Sequence, residues 1–333
     1  MGGNMTCLEI CAGAGGQSLG LEAAGFSHEL AVEIDPDACQ TLRLNRPRWN
    51  VHEGDVRTIA GRKYRGKIHL LAGGVPCPPF SIAGKQLGQD DERDLFPEAL
   101  RLVEEVNPKA VMLENVRGLS TAKFASYRKG IQDRLSELGY ASDWQVLNAS
   151  EFGVPQLRPR FILVALKHRY FRKFEWPRPV GVPPTVGDAL RTLMARDGWT
   201  GAEEWADNRA NGIGPTIVGG SRKHGGPDLG PTRARVAWDA LGVDGRGIAN
   251  QGPNDTTPFD HKPRLTLEMA AAIQGFPPSS EWRFFGRKTA AYRQIGNAFP
   301  PPVARAVGEA IAEALGVGLG AKTEELLSIV RSA

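Results

Sequence analysis

Four groups of residues in this chain of 333 have types and spacing suited to chemistry. Cys77 lies in Gly73-Gly74-Val75-Pro76-Cys77-Pro78-Pro79-Phe80-Ser81, directly after the apolar run Ile68 to Ala72. A nucleophile needs exposure and a fixed backbone, and Pro76, Pro78 and Pro79 stiffen this one. Glu114 follows the apolar run Ala110 to Leu113, and would act either as a proton donor or as a cap on the next turn. Gln156-Leu157-Arg158-Pro159-Arg160 presents Arg158 and Arg160 on one face of an extended segment, because strand side chains repeat every second residue. Paired guanidinium groups suit phosphates or carboxylates. The fourth group is the turn Ala12-Gly13-Ala14-Gly15-Gly16 with Glu33 and Asp55. A Gly-rich turn ahead of a helix lets the backbone approach a ligand, although many such turns are only tight turns. An acid ending the second strand partners ribose hydroxyls, and Asp55 could accept from an adenine amino group. These three features fit an adenosine-containing cofactor. The turn lacks G-x-G-x-x-G spacing and any Lys-Ser/Thr pair, so S-adenosylmethionine, with no phosphates to cradle, fits better than NAD or ATP.

Elements of an α/β fold are needed to bring these groups together. Short apolar strands are predicted over Thr6 to Ile10, His28 to Ile34, Ile68 to Ala72 and Ala110 to Leu113, with helices between them at Leu19 to Ala24, Asp37 to Asn45 and Phe96 to Val106. Runs apolar on both faces, alternating with helices, indicate a mostly parallel sheet covered on each side. Ligands bind beyond the carboxyl ends of such strands, and every polar group above falls at that end. After Phe161 to Leu166 the pattern changes. From about Arg178 to Lys262 the chain is rich in Gly, Pro and Trp. It could be an insertion, a disordered linker or a small domain, and Trp199, Trp205, Trp238, Ile213, Ile217, Val218 and Leu241 argue for an ordered, loop-rich domain. Helical sequence returns after Leu265 and runs to the segment Val303 to Leu315. The division is therefore 1–177, 178–262 and 263–333.

Composition narrows the class. The chain is 41% hydrophobic with a net charge of +4, which allows a nucleic-acid partner without demanding one. The tract Lys167 to Lys173 interleaves basic and aromatic residues and would be either a solvated face or a phosphate contact. No apolar run is long enough to span a membrane, and the N-terminus does not read as a signal peptide. Cys7, Cys11, Cys39 and Cys77 form no C-x-x-C pair and have no histidine spaced for a zinc site, so no metal is expected.

In chain order, these motifs resemble those of the DNA cytosine-5 methyltransferases over nearly the whole length. Glu9-Ile10-Cys11-Ala12-Gly13-Ala14-Gly15-Gly16, Glu33-Ile34-Asp35 and Gly54-Asp55-Val56 resemble the first three motifs, which hold the cofactor. Pro76-Cys77 with Phe80-Ser81 resembles the catalytic loop, and Glu114-Asn115-Val116 the strand bearing the catalytic glutamate. Gly153 to Arg160 resembles the Q-x-R-x-R motif, Arg264 to Pro277 the ninth motif, and Gln294 to Pro301 the last, which completes the cofactor pocket. The resemblance implies a Rossmann-like methyltransferase fold with a smaller target-recognition domain. It implies that S-adenosylmethionine is held by Cys11, Ala12, Gly13, Gly15, Gly16, Glu33, Ile34, Asp55, Val56, Pro76, Leu95, Asn297 and Ala298. The departures are Glu9 for the usual Asp, Cys11 for a Phe that stacks on adenine, and Val75 and Pro78 beside the nucleophile.

By the same resemblance, Cys77 adds to C6 of cytosine, Glu114 holds the N3 edge, Arg158 steadies the ring carbonyl and a neighbouring phosphate, and Arg160 steadies the loop. The base must leave the duplex for this to happen. Segment 178–262 stands where the family reads sequence, and Thr216, Ser221, Arg222, Lys223 and His224, with Ser81 from the catalytic loop, are the residues expected near double-stranded DNA. A monomeric bacterial or phage modification enzyme, cytoplasmic and without a membrane segment, is the expectation. Methylation of tRNA, by a branch of the family with nearly the same motifs, and an inactive DNA-binding regulator are the alternatives.

Overall fold

A computed structural model of the protein describes residues 5–76, 94–220 and 226–316. Cys77, Ser81, Ser221, Arg222, Lys223 and His224 lie outside the described residues.

The chain begins with β1 (Met5–Ile10), α1 (Gly16–Ala23), β2 (Phe26–Glu33), α2 (Pro36–Asn45) and β3 (Val51–Glu53). Then come β4 (Leu70–Gly74), α3 (Phe96–Val106), β5 (Ala110–Val116), α4 (Ala125–Glu137), β6 (Tyr140–Asn148) and β7 (Pro159–Lys167). Local chemistry sets several boundaries. Asp35 caps α2 by accepting from the Asp37 N–H, and Pro36 starts that helix where no N–H is needed. Asn107 ends α3 at φ 54°, a left-handed position that asparagine tolerates better than most residues.

The strands form one sheet in the order β3-β2-β1-β4-β5-β7-β6. β3, β2, β1, β4 and β5 are parallel, while β7 runs antiparallel to β5 and to β6. The mostly parallel sheet expected from the alternating pattern is therefore present. Its strand order reverses between β1 and β4, and the crevice at that switch point opens beside Cys11 and Gly74.

β5 differs from its sequence reading. It continues through Val116, so Glu114 is a paired residue inside the strand, opposite Gly74 on one side and Ile162 on the other. It does not cap a turn, because both neighbouring strands extend far enough to keep its backbone in the ladder.

One face of the sheet packs on α3 and α4 through residues such as Phe96, Leu102, Leu113, Ile131 and Phe161. The other face is covered by α1 and by α11 (Pro301–Ala314), reached after the elements described next. After β7 come the single turn α5 (His168–Phe171), then α6 (Val186–Ala195), α7 (Ala202–Glu204) and α8 (Thr232–Ala240). The chain continues into α9 (Leu267–Ile273) and α10 (Lys288–Asn297). Trp199, Trp205, Trp238 and Trp282 are buried in this second core. The indole N–H groups of Trp205 and Trp199 donate to the carbonyls of Gly242 (2.8 Å) and Pro258 (2.9 Å), while those of Trp238 and Trp282 are buried with no partner among the described residues. The core does not stop at residue 262: Leu265, Met269, Ile273 and Tyr292 belong to it as well.

Candidate active site

The end of β1 turns sharply into α1. Cys11 takes φ 51°, Gly13 φ 55° and Gly15 φ 87°, three left-handed residues in five. A side chain on Gly13 would meet nothing within 4 Å and would project into open space. A Cβ on Gly16 would lie 2.2 Å from the Phe299 carbonyl oxygen, so only glycine lets the last motif close over the turn. The Glu33 carboxylate holds this loop from the neighbouring strand. One oxygen accepts from the Gly13 N–H at 2.7 Å, and the other accepts from Ile34 and Asp35 at 2.8 Å each. Burial pushes the Glu33 carboxyl above its usual range, and the three backbone donors work against that shift.

A cavity of about 360 Å³ opens over this turn. Of the residues expected to bind cofactor, Cys11, Ala12, Gly13, Gly16, Glu33, Pro76, Asn297 and Ala298 line it. A smaller cavity of about 220 Å³ adjoins it through Cys11, Glu33 and Pro76, and contains Ile34, Asp55, Val56 and Leu95. Gly15 lines neither: it is the N-cap of α1, and a Cβ there would stand 2.6 Å from the Trp282 ring. The Asp55 carboxylate accepts from the Arg57 N–H (2.9 Å) and its guanidinium (3.0 Å). The Cys11 thiol is pushed well above its ordinary value, first by burial and then by Glu33 and Asp55, so it stays protonated and is a packing group there.

Sequence reasoning missed Gln17 and Arg293 on the wall of the cavity over the turn, while Asp35, Gln294 and Phe299 there stand inside motifs already read as holding the cofactor. Arg293 and Gln294 stand one helical turn before Asn297 on α10, a spacing that shares a face, and that signal was available. Gln17 is different. Both atoms of its side-chain amide are buried with no hydrogen-bond partner among the described residues. A buried amide left open in this way fits a polar ligand in the cavity.

A third cavity, of about 720 Å³, lies on the other side of Glu114. Glu114, Gly74, Pro76 and Asn297 line both this cavity and the one over the Gly-rich turn. Pro76, the residue before Cys77 in sequence, lines all three. The Arg160 guanidinium meets Glu114 with an Nε–Oε1 separation of 2.6 Å, and the two side chains are 11% and 14% exposed. Gly74 leaves room for the carboxylate, since a Cβ there would be 3.3 Å from Glu114 Oε2. Asn115, on the opposite face of β5, donates to the Val75 carbonyl at 2.8 Å and ties the strand to the segment before Cys77. Val75 itself is buried in the core, which accounts for an apolar residue at that position.

The two arginines expected to act together have different jobs. Arg158 is buried and donates to three carbonyls: Ile217 and Gly296 at 2.7 Å, and Ala298 at 2.9 Å. Burial pushes its pKa well below the ordinary guanidinium range. Arg158 also lines the larger cavity, but with 1% of its side chain exposed its guanidinium is engaged mainly by these backbone carbonyls. Arg160 is the guanidinium beside Glu114. Thr216 lines the same cavity, with its hydroxyl donating to the Leu157 carbonyl. Among the described residues no group of three or more His, Cys, Asp or Glu could hold a metal ion.

The seven-stranded sheet, the Gly-rich turn at its switch point and the acid at the end of the second strand define a Rossmann-like methyltransferase. A profile for the C-5 cytosine-specific DNA methylase family matches residues 5–313, and the chain belongs to that family. It is a DNA cytosine-5 methyltransferase. It is 59% identical over 314 residues to the type II methyltransferase M.NaeI of Lentzea aerocolonigenes, covering 94% of this chain and 76% of that one. Over 322 residues it is 54% identical to M.NgoMIV of Neisseria gonorrhoeae, covering 93% and 98% respectively. The solved structure of the S. pombe Dnmt2 methyltransferase shares the fold, with a TM-score of 0.63 at 19% identity over 93% of this chain and 99% of that one.

Proposed function

We propose that the protein methylates C5 of a cytosine flipped out of a short, specific duplex sequence, as the modification partner in a restriction-modification system. The observation that carries this reading is the Glu114–Arg160 pair at the junction of the cavity over the Gly-rich turn and the larger cavity beside it. The larger volume suits a base, and the other suits the methyl donor.

S-adenosylmethionine would be held by the Glu33-braced turn, Gln17 and the Asn297-Ala298 wall, and when bound supplies an electrophilic methyl group. The chain's own residues do the rest. The Cys77 thiolate forms a bond to C6 and opens the C5–C6 double bond, sending charge toward C5 and N3. Glu114 holds the N3 edge and the exocyclic amine, so that charge developing there is met by a hydrogen bond. Arg160, fixed by Glu114, offers its remaining N–H donors to the ring oxygen. C5 gains the methyl carbon as that carbon's bond to the donor sulfur breaks, the electron pair going to sulfur and S-adenosylhomocysteine leaving, and a base then removes the C5 proton. The electron pair reforms the double bond and expels Cys77 as thiolate. Extrusion of the base is required because C6 and N3 are not both reachable inside a stacked duplex.

Residues 178–262 are read as the target-recognition region, with Thr216 and the segment Ser221 to His224 nearest the DNA, in a monomer acting in the bacterial cytoplasm. No helix among the described residues is long and apolar enough to cross a membrane. Bisulfite sequencing of a plasmid from cells expressing the protein tests the activity and reveals the site together. Protection of cytosine at one short sequence, lost in Cys77→Ser, is expected. A plasmid without protected cytosines, or transfer of labelled methyl groups to tRNA in preference to duplex DNA, would overturn the proposal.

A further inference from the structure

Three separate stretches of chain meet at one buried seam between the proposed cofactor cavity and the proposed base cavity. They are residues 156–158 just before β7, residues 214–220, and the end of α10 with the two residues after it. Arg158 sits in the middle and donates to Ile217 on one stretch and to Gly296 and Ala298 on another. Gln156, also buried, accepts from the Ile217 N–H at 3.0 Å and donates to the Gln274 side chain and the Ile273 carbonyl. Gln274 in turn donates to the Ala298 carbonyl. The Ala298 oxygen thus receives both Arg158 and Gln274.

The contact at the seam is also tight in backbone terms. A Cβ on Gly296 would lie 2.4 Å from the Gly219 nitrogen, and a Cβ on Gly219 would lie 2.7 Å from Asn297 Oδ1. Asn297 donates to the Gly220 carbonyl at 3.2 Å. Asn297 and Ala298 are wall residues of the cavity over the Gly-rich turn, while Thr216, Ile217 and Val218 are wall residues of the larger one. Neither wall can shift by a few tenths of an ångström without breaking bonds that hold the other, because packed interiors and buried hydrogen bonds tolerate little displacement.

We propose that Arg158 is a positioning residue that couples the two cavities, so that DNA bound against residues 216–218 tightens cofactor binding and cofactor tightens DNA binding by the same factor. The inference rests on the assignment of the two cavities given above. A ligand that takes up one wall acts on the other through the bonds they share, and linkage makes the effect reciprocal. Lysine at 158 has a single nitrogen and does not reproduce the two-nitrogen span from Ile217 to Gly296 and Ala298, and alanine reaches none.

The test is calorimetric titration of S-adenosylhomocysteine into the enzyme, alone and with a short duplex carrying the site that bisulfite sequencing identifies. The wild-type protein is expected to bind the homocysteine analogue about tenfold more tightly when DNA is present. In Arg158→Lys the ratio falls toward unity, and in Arg158→Ala it reaches unity. A purely structural role would instead lower the melting temperature and the amount of active enzyme while leaving that ratio unchanged. If both Arg158 variants fail to fold, Gly219→Ala decides. Gly219 lines neither cavity, yet this substitution should raise KM for cofactor several-fold at nearly constant kcat. A wild-type ratio near one, or an unaltered cofactor KM in Gly219→Ala, overturns the coupling. Failure to bind the analogue at all in the absence of DNA, with no effect of Glu33→Gln on binding in its presence, would instead reject the cavity assignment.

Discussion

Replacing Glu33 by glutamine changes one atom in the brace behind the cofactor cavity and separates its hydrogen bonding from its size. The carboxylate serves three N–H groups, two on one oxygen and one, from Gly13, on the other. A glutamine keeps the larger share by turning its oxygen to Ile34 and Asp35, which aims its NH₂ group at the Gly13 N–H. A charge-assisted bond is then lost and two donors face one another, at a cost of about 1.5–3 kcal/mol. Part of that is returned, because the buried charge that pushes the Glu33 carboxyl upward is gone. A net loss of about 1.4–2 kcal/mol in the loop that forms the cavity floor corresponds to roughly a 10- to 30-fold weaker cofactor complex. Titration calorimetry with S-adenosylhomocysteine measures this directly, and kcat at saturating cofactor should fall little, since Glu114 and Arg160 are untouched. Unchanged affinity, or a fall in kcat equal to the loss of affinity, would refute the assignment of Glu33 to cofactor binding through the Gly13 loop.

Arg160→Ala leaves the Glu114 carboxylate, 14% exposed, without its ion-pair partner. We expect kcat to drop by about two orders of magnitude, the usual effect of removing a donor aimed at developing charge, with Arg160→Lys in between; single-turnover methyl transfer checks this. A Cβ on Gly20 would lie 2.4 Å from the Pro301 oxygen, so Gly20→Ala should force α1 and α11 apart and cost about 1–3 kcal/mol in chemical denaturation, with little change in cofactor KM once folded. Asp244 is held well below the usual carboxylate range, first by its hydrogen bond to Arg246 and then by Arg264. A depressed acid stabilises the fold above its unfolded pKa and loses that contribution as pH falls through the folded value. Asp244→Asn should therefore lower the melting temperature at neutral pH by an amount worth about 1 kcal/mol, discounted for its exposed partners, and the difference should shrink in the acid range below the ordinary carboxylate pKa.

The parallel part of the sheet was legible because buried strands such as Leu70–Gly74 are apolar on both faces and end at glycine. The antiparallel strand β6 was not. Its residues from Ala141 to Val146 are all half-exposed or exposed, and Asp143 and Gln145 break any apolar alternation, as an edge strand with one open side permits. In the segment from 178 to 262 the buried tryptophans announced order, but not the helices over Val186–Ala195 and Thr232–Ala240. Nor does linear sequence reveal that this core continues into Met269, Ile273 and Tyr292, because contacts between distant segments leave no periodic trace.

For the site, the candidate reacting groups could be named from the sequence. Cysteine, glutamate, arginine and a glycine turn at the ends of strands can be recognised by type and spacing, since strand ends in such a sheet converge wherever the helices lie. What tertiary structure alone decided was the division of labour. Arg158 and Arg160 have the same side chain and stand two residues apart, yet one is sealed under three carbonyls from Ile217, Gly296 and Ala298, and the other faces Glu114. A guanidinium goes where acceptors are. Those acceptors come from backbone more than fifty residues away, in segments whose approach depends on Gly219 and Gly296 having no side chain.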